Sequence, residues 1–205
     1  MDSSPLNVTV FILAGGKSTR MGTDKAFVIL DGRTLLARAL DLAQSVTSDV
    51  RIVGDAAKFS PFAPVVEDIF PGCGPLGGIH AALRISPTDL SVILAVDVPF
   101  APPALLQYLI SRARNSALAT VTVTETAGRL QPLCAVYRRE FADAAELALR
   151  TGRYKIDALF ESAQIQVIAE NELESAGFSS KIFRNLNTPE ELERAREEGE
   201  LEATS

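Results

Sequence analysis

The sequence has 205 residues, 47% apolar and 22% charged, and no apolar run approaches the roughly 18–20 residues that a membrane-spanning helix needs, so a membrane partner is not expected. Twenty Lys and Arg against 26 Asp and Glu leave a net charge of -6, the wrong sign for a protein that holds nucleic acid by neutralising phosphates. Cys73, Cys134 and the single His80 are too few for a disulfide scaffold or a zinc site of the His and Cys type, whereas a chain of this length can bury on the order of 70% of its unfolded surface around a core of its own.

The amino end, MDSSPLN, is acidic and polar where a secretory signal would be basic and then apolar, so the cytoplasm is the expected compartment. Val8 to Leu13 reads as a first strand buried on both faces. Leu35, Leu36, Ala39, Leu40 and Ala43 share one face of a helix over about Thr34 to Val46. A second strand follows at Val50 to Val53, and Pro75 can open a helix because a first-turn proline forfeits only an orphan N–H. Ser91 to Val96 is a third strand that ends on Asp97. Pro102 and Pro103 start the next helix, with Leu105, Leu106, Leu109 and Ile110 inward. Strands at about Ala119 to Val123 and Leu133 to Tyr137 flank a turn at Gly128. Helices are expected at about Arg139 to Leu149 and Ile156 to Phe160, with a strand at Ile165 to Ile168. The last helix opens at Thr188, where Thr188 and Glu191 can form a capping box. Short β-branched runs alternating with helical periods argue for parallel strands joined by crossovers rather than hairpins, hence a single doubly wound α/β domain.

Chemistry concentrates in LAGGKSTRMGTDK, Leu13 to Lys25, which follows the first strand. Glycines let backbone N–H groups approach phosphate oxygens, and Lys17, Arg20 and Lys25 can neutralise their charge. A Walker A loop would need glycine at Phe11, and a dinucleotide fingerprint would need it at Lys17, so neither motif is present. Asp97 stands where the carboxyl edge of a parallel sheet places ligands and can hold Mg²⁺ or cap the following helix. Asp68 is a second acid at a strand end, with Glu67 able to exchange roles with it. In PGCGPLGGIHAA, glycines again reach a helix start. Cys73 within it has no base to activate it and reads as an incidental thiol, and His80 as a packed or surface residue.

In their order, LAGGKSTRMGTDK, Glu67–Asp68 with GPLGGI, AVDVPF at 95–100, QPLCAVYRR at 131–139 and NLNTPEEL at 185–192 resemble the molybdenum cofactor guanylyltransferase family over about Val8 to Arg196. The resemblance implies a single-domain, three-layer Rossmann-like fold of the nucleotide-diphospho-sugar transferase type, with a doubly wound, mostly parallel sheet. The domain would span 8–198, between a disordered end at 1–7 and a flexible end at 199–205. It also implies GMP transfer from GTP to the phosphate of molybdenum-molybdopterin, with Mg²⁺ required and pyrophosphate released. Transient docking to molybdenum-insertion or molybdoenzyme-maturation proteins would follow. By motif position, Leu13, Ala14, Gly15 and Gly16 resemble the segment that meets the guanine nucleotide, and Lys25 the lysine on its phosphates. Asp68 resembles a nucleotide-site acid, Asp97 the magnesium ligand, and Asn185 and Asn187 the asparagines on the pterin side. After the second strand the family often carries an Asn near the base, where this chain has Gly54 and Asp55. The second glycine of LAGG favours GTP, since the sister cytidylyltransferases tend to read LAAG. Transfer from CTP, transfer to a sugar or alcohol phosphate, and a non-catalytic nucleotide- or molybdopterin-binding module are the alternatives.

Overall fold

The computed structural model describes residues 7–15, 24–161, 163–183, 191 and 193. The expected terminal stretches, apart from Asn7, and the Thr188 cap lie outside these residues. In chain order the elements are β1 (Val8–Leu13), a 3-10 turn (Lys25–Phe27), β2 (Ile29–Leu30), β3 (Arg33–Thr34), α1 (Leu35–Gln44), β4 (Val50–Val53), α2 (Ala56–Phe59) and β5 (Val65–Val66). There follow α3 (Pro75–Ile85), β6 (Leu90–Ala95), α4 (Pro103–Asn115), β7 (Val121–Thr126), β8 (Arg129–Leu130) and β9 (Cys134–Arg138). The described chain closes with α5 (Phe141–Arg150), α6 (Ile156–Phe160), β10 (Ile165–Ile168), α7 (Glu170–Ser175) and a 3-10 turn (Ser180–Phe183).

Local chemistry sets most of these boundaries. The Thr34 side chain accepts a hydrogen bond from the Ala37 N–H and starts α1, and Pro75 and Pro103 open α3 and α4 without giving up a needed donor. Gly74, at φ 67°, makes the turn into α3. The end of α4 is held by Arg138 of β9, whose guanidinium donates to the carbonyls of Ala113, Ser116 and Ala119.

One sheet runs β10-β7-β9-β6-β1-β4-β5, with β8 paired to β7. Strands β6, β1, β4 and β5 are mutually parallel, as are β7 and β10. Strand β9 lies antiparallel between β6 and β7. The sheet is mostly parallel, as expected, but the expectation of crossovers without hairpins is corrected here. The pairs β2–β3 and β7–β8 are hairpins, the latter turning at Ala127 and Gly128, both at positive φ. A buried antiparallel strand carries the same apolar run as a parallel one, so sequence pattern cannot separate them.

All six residues of β1 are buried, as in a central strand covered on both sides. Val10, Ile12, Val92 and Leu94 pack under α1 and α4 on one face, and Phe11, Ile93, Val123 and Tyr137 under α3, α5 and α6 on the other. These are the three layers. No helix of the described residues is long and apolar enough to cross a membrane.

Candidate active site

Leu13 pairs with Val53 and with Ala95, and Val53 with Val66, so β1, β4, β5 and β6 end at one level. From β1 the chain reaches β4 on one side, whereas β6 lies on the other. This is the switch point of a doubly wound sheet, where a crevice opens beyond the carboxyl ends of the strands. The backbone continues the ladder past the strands: the Ala14 and Gly15 N–H groups both donate to the Val53 carbonyl, at 3.1 and 3.2 Å, and the Val96 N–H donates to that of Leu13 at 3.3 Å. Gly15 is thereby fixed above the sheet, beside Gly54.

Two sequence-selected residues meet at this crevice. Lys25 Nζ donates to Asp97 Oδ2 at 2.5 Å across 72 positions of sequence, with both side chains largely buried, at 18% and 19% exposure. Asp97 follows two residues after β6, which ends at Ala95 rather than at the expected Val96. Lys25 is placed by the 3-10 turn it opens, which Asp24 caps by accepting from the Ala26 N–H. Asp24 also accepts from Lys58 Nζ at 3.0 Å, and its carboxylate raises the pKa of that lysine. A mostly buried cation paired with a carboxylate at a sheet edge suits a site that receives phosphates and a metal.

Asp68 follows β5 by two residues and is half-buried; burial holds its carboxyl above the usual carboxylate range. It lies against the first turn of α3. A Cβ built on Gly77 would stand 2.9 Å from the Phe70 carbonyl oxygen and 3.8 Å from Asp68 Oδ2, and one on Gly78 3.6 Å from Asp68 Oδ1. The glycines of GPLGG therefore let the acidic loop close onto α3.

After β4, Asp55 is committed to structure, since its side chain accepts from the Ala57 N–H and caps α2. A Cβ on Gly54 would lie 2.8 Å from Phe59 Cε2, in a ring only 1% exposed. Phe59 and Lys58 were not legible as site neighbours, because a four-residue helix carries too little periodicity to orient them. His80 is packed, 1% exposed, with Nε2 3.3 Å from both Glu146 Oε2 and Arg84 Nε. The Cys73 thiol donates to the Pro71 carbonyl at 3.9 Å and packs against the core beside α3. Of the residues selected from sequence, Leu13, Ala14, Gly15, Lys25, Asp68 and Asp97 are at this edge, whereas Gly16, Lys17, Arg20, Asn185 and Asn187 lie outside the described residues.

Residues 10–167 match the MobA-like NTP transferase domain. The chain belongs to this family. It is 37% identical over 191 residues, 92% of this chain and 94% of the other, to the molybdenum cofactor guanylyltransferase of Desulfosudis oleivorans. Its fold is similar to the solved structure of molybdopterin-guanine dinucleotide biosynthesis protein A from Archaeoglobus fulgidus, with TM-score 0.84, 29% identity, and coverage of 94% of this chain and 99% of that one. A likeness in fold alone extends to 2-C-methyl-D-erythritol 4-phosphate cytidylyltransferase of Thermus thermophilus, with TM-score 0.70 at 17% identity over 95% and 99% of the two chains. This MobA-like chain is thus a nucleotidyltransferase, and its Lys25–Asp97 pair stands at the switch point of the family's sheet.

Proposed function

We propose that this protein transfers GMP from GTP to the terminal phosphate of molybdenum-molybdopterin, releasing pyrophosphate. The observation that carries the proposal is the Lys25–Asp97 contact at the carboxyl ends of β1 and β6, supported by relatives named molybdenum cofactor guanylyltransferase at 30–37% identity.

The acceptor phosphate is already largely ionised at neutral pH, with a second pKa of about 6, so no strong general base is required. One of its oxygens forms a new bond to the α-phosphorus of GTP while the bond from that phosphorus to the bridging oxygen breaks and the electron pair leaves with pyrophosphate. Such a displacement needs positioning and charge neutralisation. The segment Leu13 to Gly16 would meet the nucleotide, its glycines admitting a close approach, Asp68 would line its crevice, and Lys17, Arg20 and Lys25 would neutralise its phosphates.

The described residues hold no group of three or more His, Cys, Asp or Glu side chains placed to bind a metal. Asp97 offers one carboxylate beside the phosphate-binding loop, which fits Mg²⁺, an ion that commonly takes one or two protein carboxylates and fills its shell with water and substrate phosphates. Bound there, Mg²⁺ would supply charge stabilisation at the reacting phosphate oxygens. Asn185 and Asn187 would contribute to the pterin side of the site, as the resemblance implies. Cytoplasmic location and transient contact with molybdenum-insertion or molybdoenzyme-maturation proteins belong to the same proposal.

Product analysis tests it. Incubation with GTP, Mg²⁺ and molybdenum-molybdopterin should give a guanine dinucleotide and pyrophosphate in equal amounts by mass spectrometry; a cytosine dinucleotide formed preferentially from CTP would favour the alternative donor.

A further inference from the structure

The QPLCAVYRR segment has no role in the donor chemistry above, yet its first residue stands at the catalytic edge. Strand β9 begins against the end of β6, with Leu94 opposite Cys134, and the Ala95 N–H donates to the Leu133 carbonyl at 2.8 Å. Residues 131–133 therefore flank β6 on the side away from β1, β4 and β5. Asp97, two residues beyond Ala95, separates them from Gly15, Gly54 and Asp68. In an in-line displacement the attacking oxygen and the leaving pyrophosphate lie on opposite sides of the α-phosphorus. An acceptor that attacks opposite the leaving group would accordingly approach from the flank away from the donor crevice.

Gln131 is fixed in this place by three hydrogen bonds. Its N–H donates to the Thr124 carbonyl at 2.9 Å, its carbonyl accepts from the Cys134 N–H at 3.1 Å, and its side-chain Nε2 donates to Thr126 Oγ1 at 2.8 Å. Thr126 is 5% exposed, so it is a stiff anchor. The half-buried amide keeps its carbonyl oxygen and second N–H, an acceptor and a donor side by side, unused among the described residues. The strand beneath is also polar on this face. Val121 and Val123 join the core under α3, α5 and α6, so alternation turns Thr122, Thr124 and Thr126 to the opposite side, where all three are buried. The wholly buried Thr124 hydroxyl has no hydrogen-bond partner among the described residues.

We propose that Gln131, oriented by Thr126, binds the acceptor by pairing its amide with the adjacent N–H donor and acceptor of a ring edge, a pattern that a pterin presents. This rests on the transfer reaction proposed above and adds the residue that reads the acceptor ring.

The test is steady-state kinetics of pyrophosphate release with GTP and molybdenum-molybdopterin for the parent, Gln131→Ala, Gln131→Leu and Thr126→Val. The Gln131 variants should raise the acceptor KM by about tenfold or more, the scale of one or two lost hydrogen bonds to a ligand. Their GTP KM should stay within about twofold of the parent, and GTP should raise their melting temperatures as it does the parent's. Thr126→Val, which keeps the shape and removes only the anchor, should raise the acceptor KM by a smaller factor. Unchanged acceptor KM in all three variants overturns the assignment while leaving the reaction intact, and equal loss toward GTP and acceptor returns Gln131 to a structural role. A parent that releases no acceptor-dependent pyrophosphate overturns the reaction itself and this assignment with it.

Discussion

An amide at position 97 keeps the shape of the side chain and can still accept from Lys25, but it removes a hard anionic ligand. Asp97→Asn should therefore lower turnover by at least about 100-fold, the scale of one lost electrostatic contact to a transition state, while the melting temperature changes little. Near-normal turnover in the folded variant would contradict the metal-ligand assignment. Gly54 makes the opposite kind of prediction. A methyl group there meets the Phe59 ring at 2.8 Å, and the ring is too well packed to yield. Gly54→Ala is expected to destabilise the fold by about 1–3 kcal/mol, and trimming the ring with Phe59→Leu in the same chain should recover part of the loss, both read from thermal melts. A single variant that melts like the parent would show that the ring moves aside. Lys25 and Asp97 were legible as residues because their motifs carry charge at strand ends. Their contact was not, since it joins segments 72 positions apart. Phe59 against Gly54 was invisible because an apolar side chain announces burial, not its neighbour.

Between α3 and α5 the sequence places a charged ladder that no single helix reveals. Glu146 Oε2 accepts from Arg84 at 2.6 Å and Oε1 from Arg150 at 2.7 and 2.9 Å, and Arg84 reaches Asp143 at 2.8 Å. The hydrogen bonds from Arg150 and Arg84, with His80 beside them, lower the Glu146 pKa from 4.5 to about 2. A carboxylate whose pKa is depressed on folding contributes stability above its unfolded value that is lost as pH falls through the folded one. The contribution of Glu146 should thus be present above pH 4.5 and disappear toward about pH 2. The melting temperature of Glu146→Gln should fall less steeply than the parent's across that window, and parallel curves would show that the ladder does not couple to folding. At this scale the elements with a continuous apolar or β-branched run were the legible ones. Val8–Leu13, Val50–Val53, Ile156–Phe160 and Ile165–Ile168 were delimited correctly and the short strand before Asp68 is present as β5, while β2, β3 and β8, of two residues each, exist only through their partners. The reversal of β9 was equally hidden, because strand direction is set by pairing across the sheet and not by the run of apolar residues.

The order of strands turns scattered motifs into one site. Placing β1 between β6 and β4 brings Leu13 to Gly15, Gly54, Asp68 and Asp97 to a single edge, and placing β9 beyond β6 adds Gln131 on the far flank. The doubly wound class was readable from the alternation of apolar runs and helical periods, but the sheet order that makes the motifs converge required the three-dimensional register. The net charge of -6 does not oppose binding of a triphosphate, because Lys17, Arg20 and Lys25 are concentrated in one loop and steering depends on local field more than on total charge. The central claim is that this edge moves GMP to a pterin phosphate. Its most direct test is pyrophosphate release measured with GTP, CTP, ATP and UTP in turn, each with Mg²⁺ and each with and without molybdenum-molybdopterin. Release that is fast with GTP, slow with the other three and dependent on the acceptor is the expected result; release that ignores the acceptor, or that prefers another base, would contradict it.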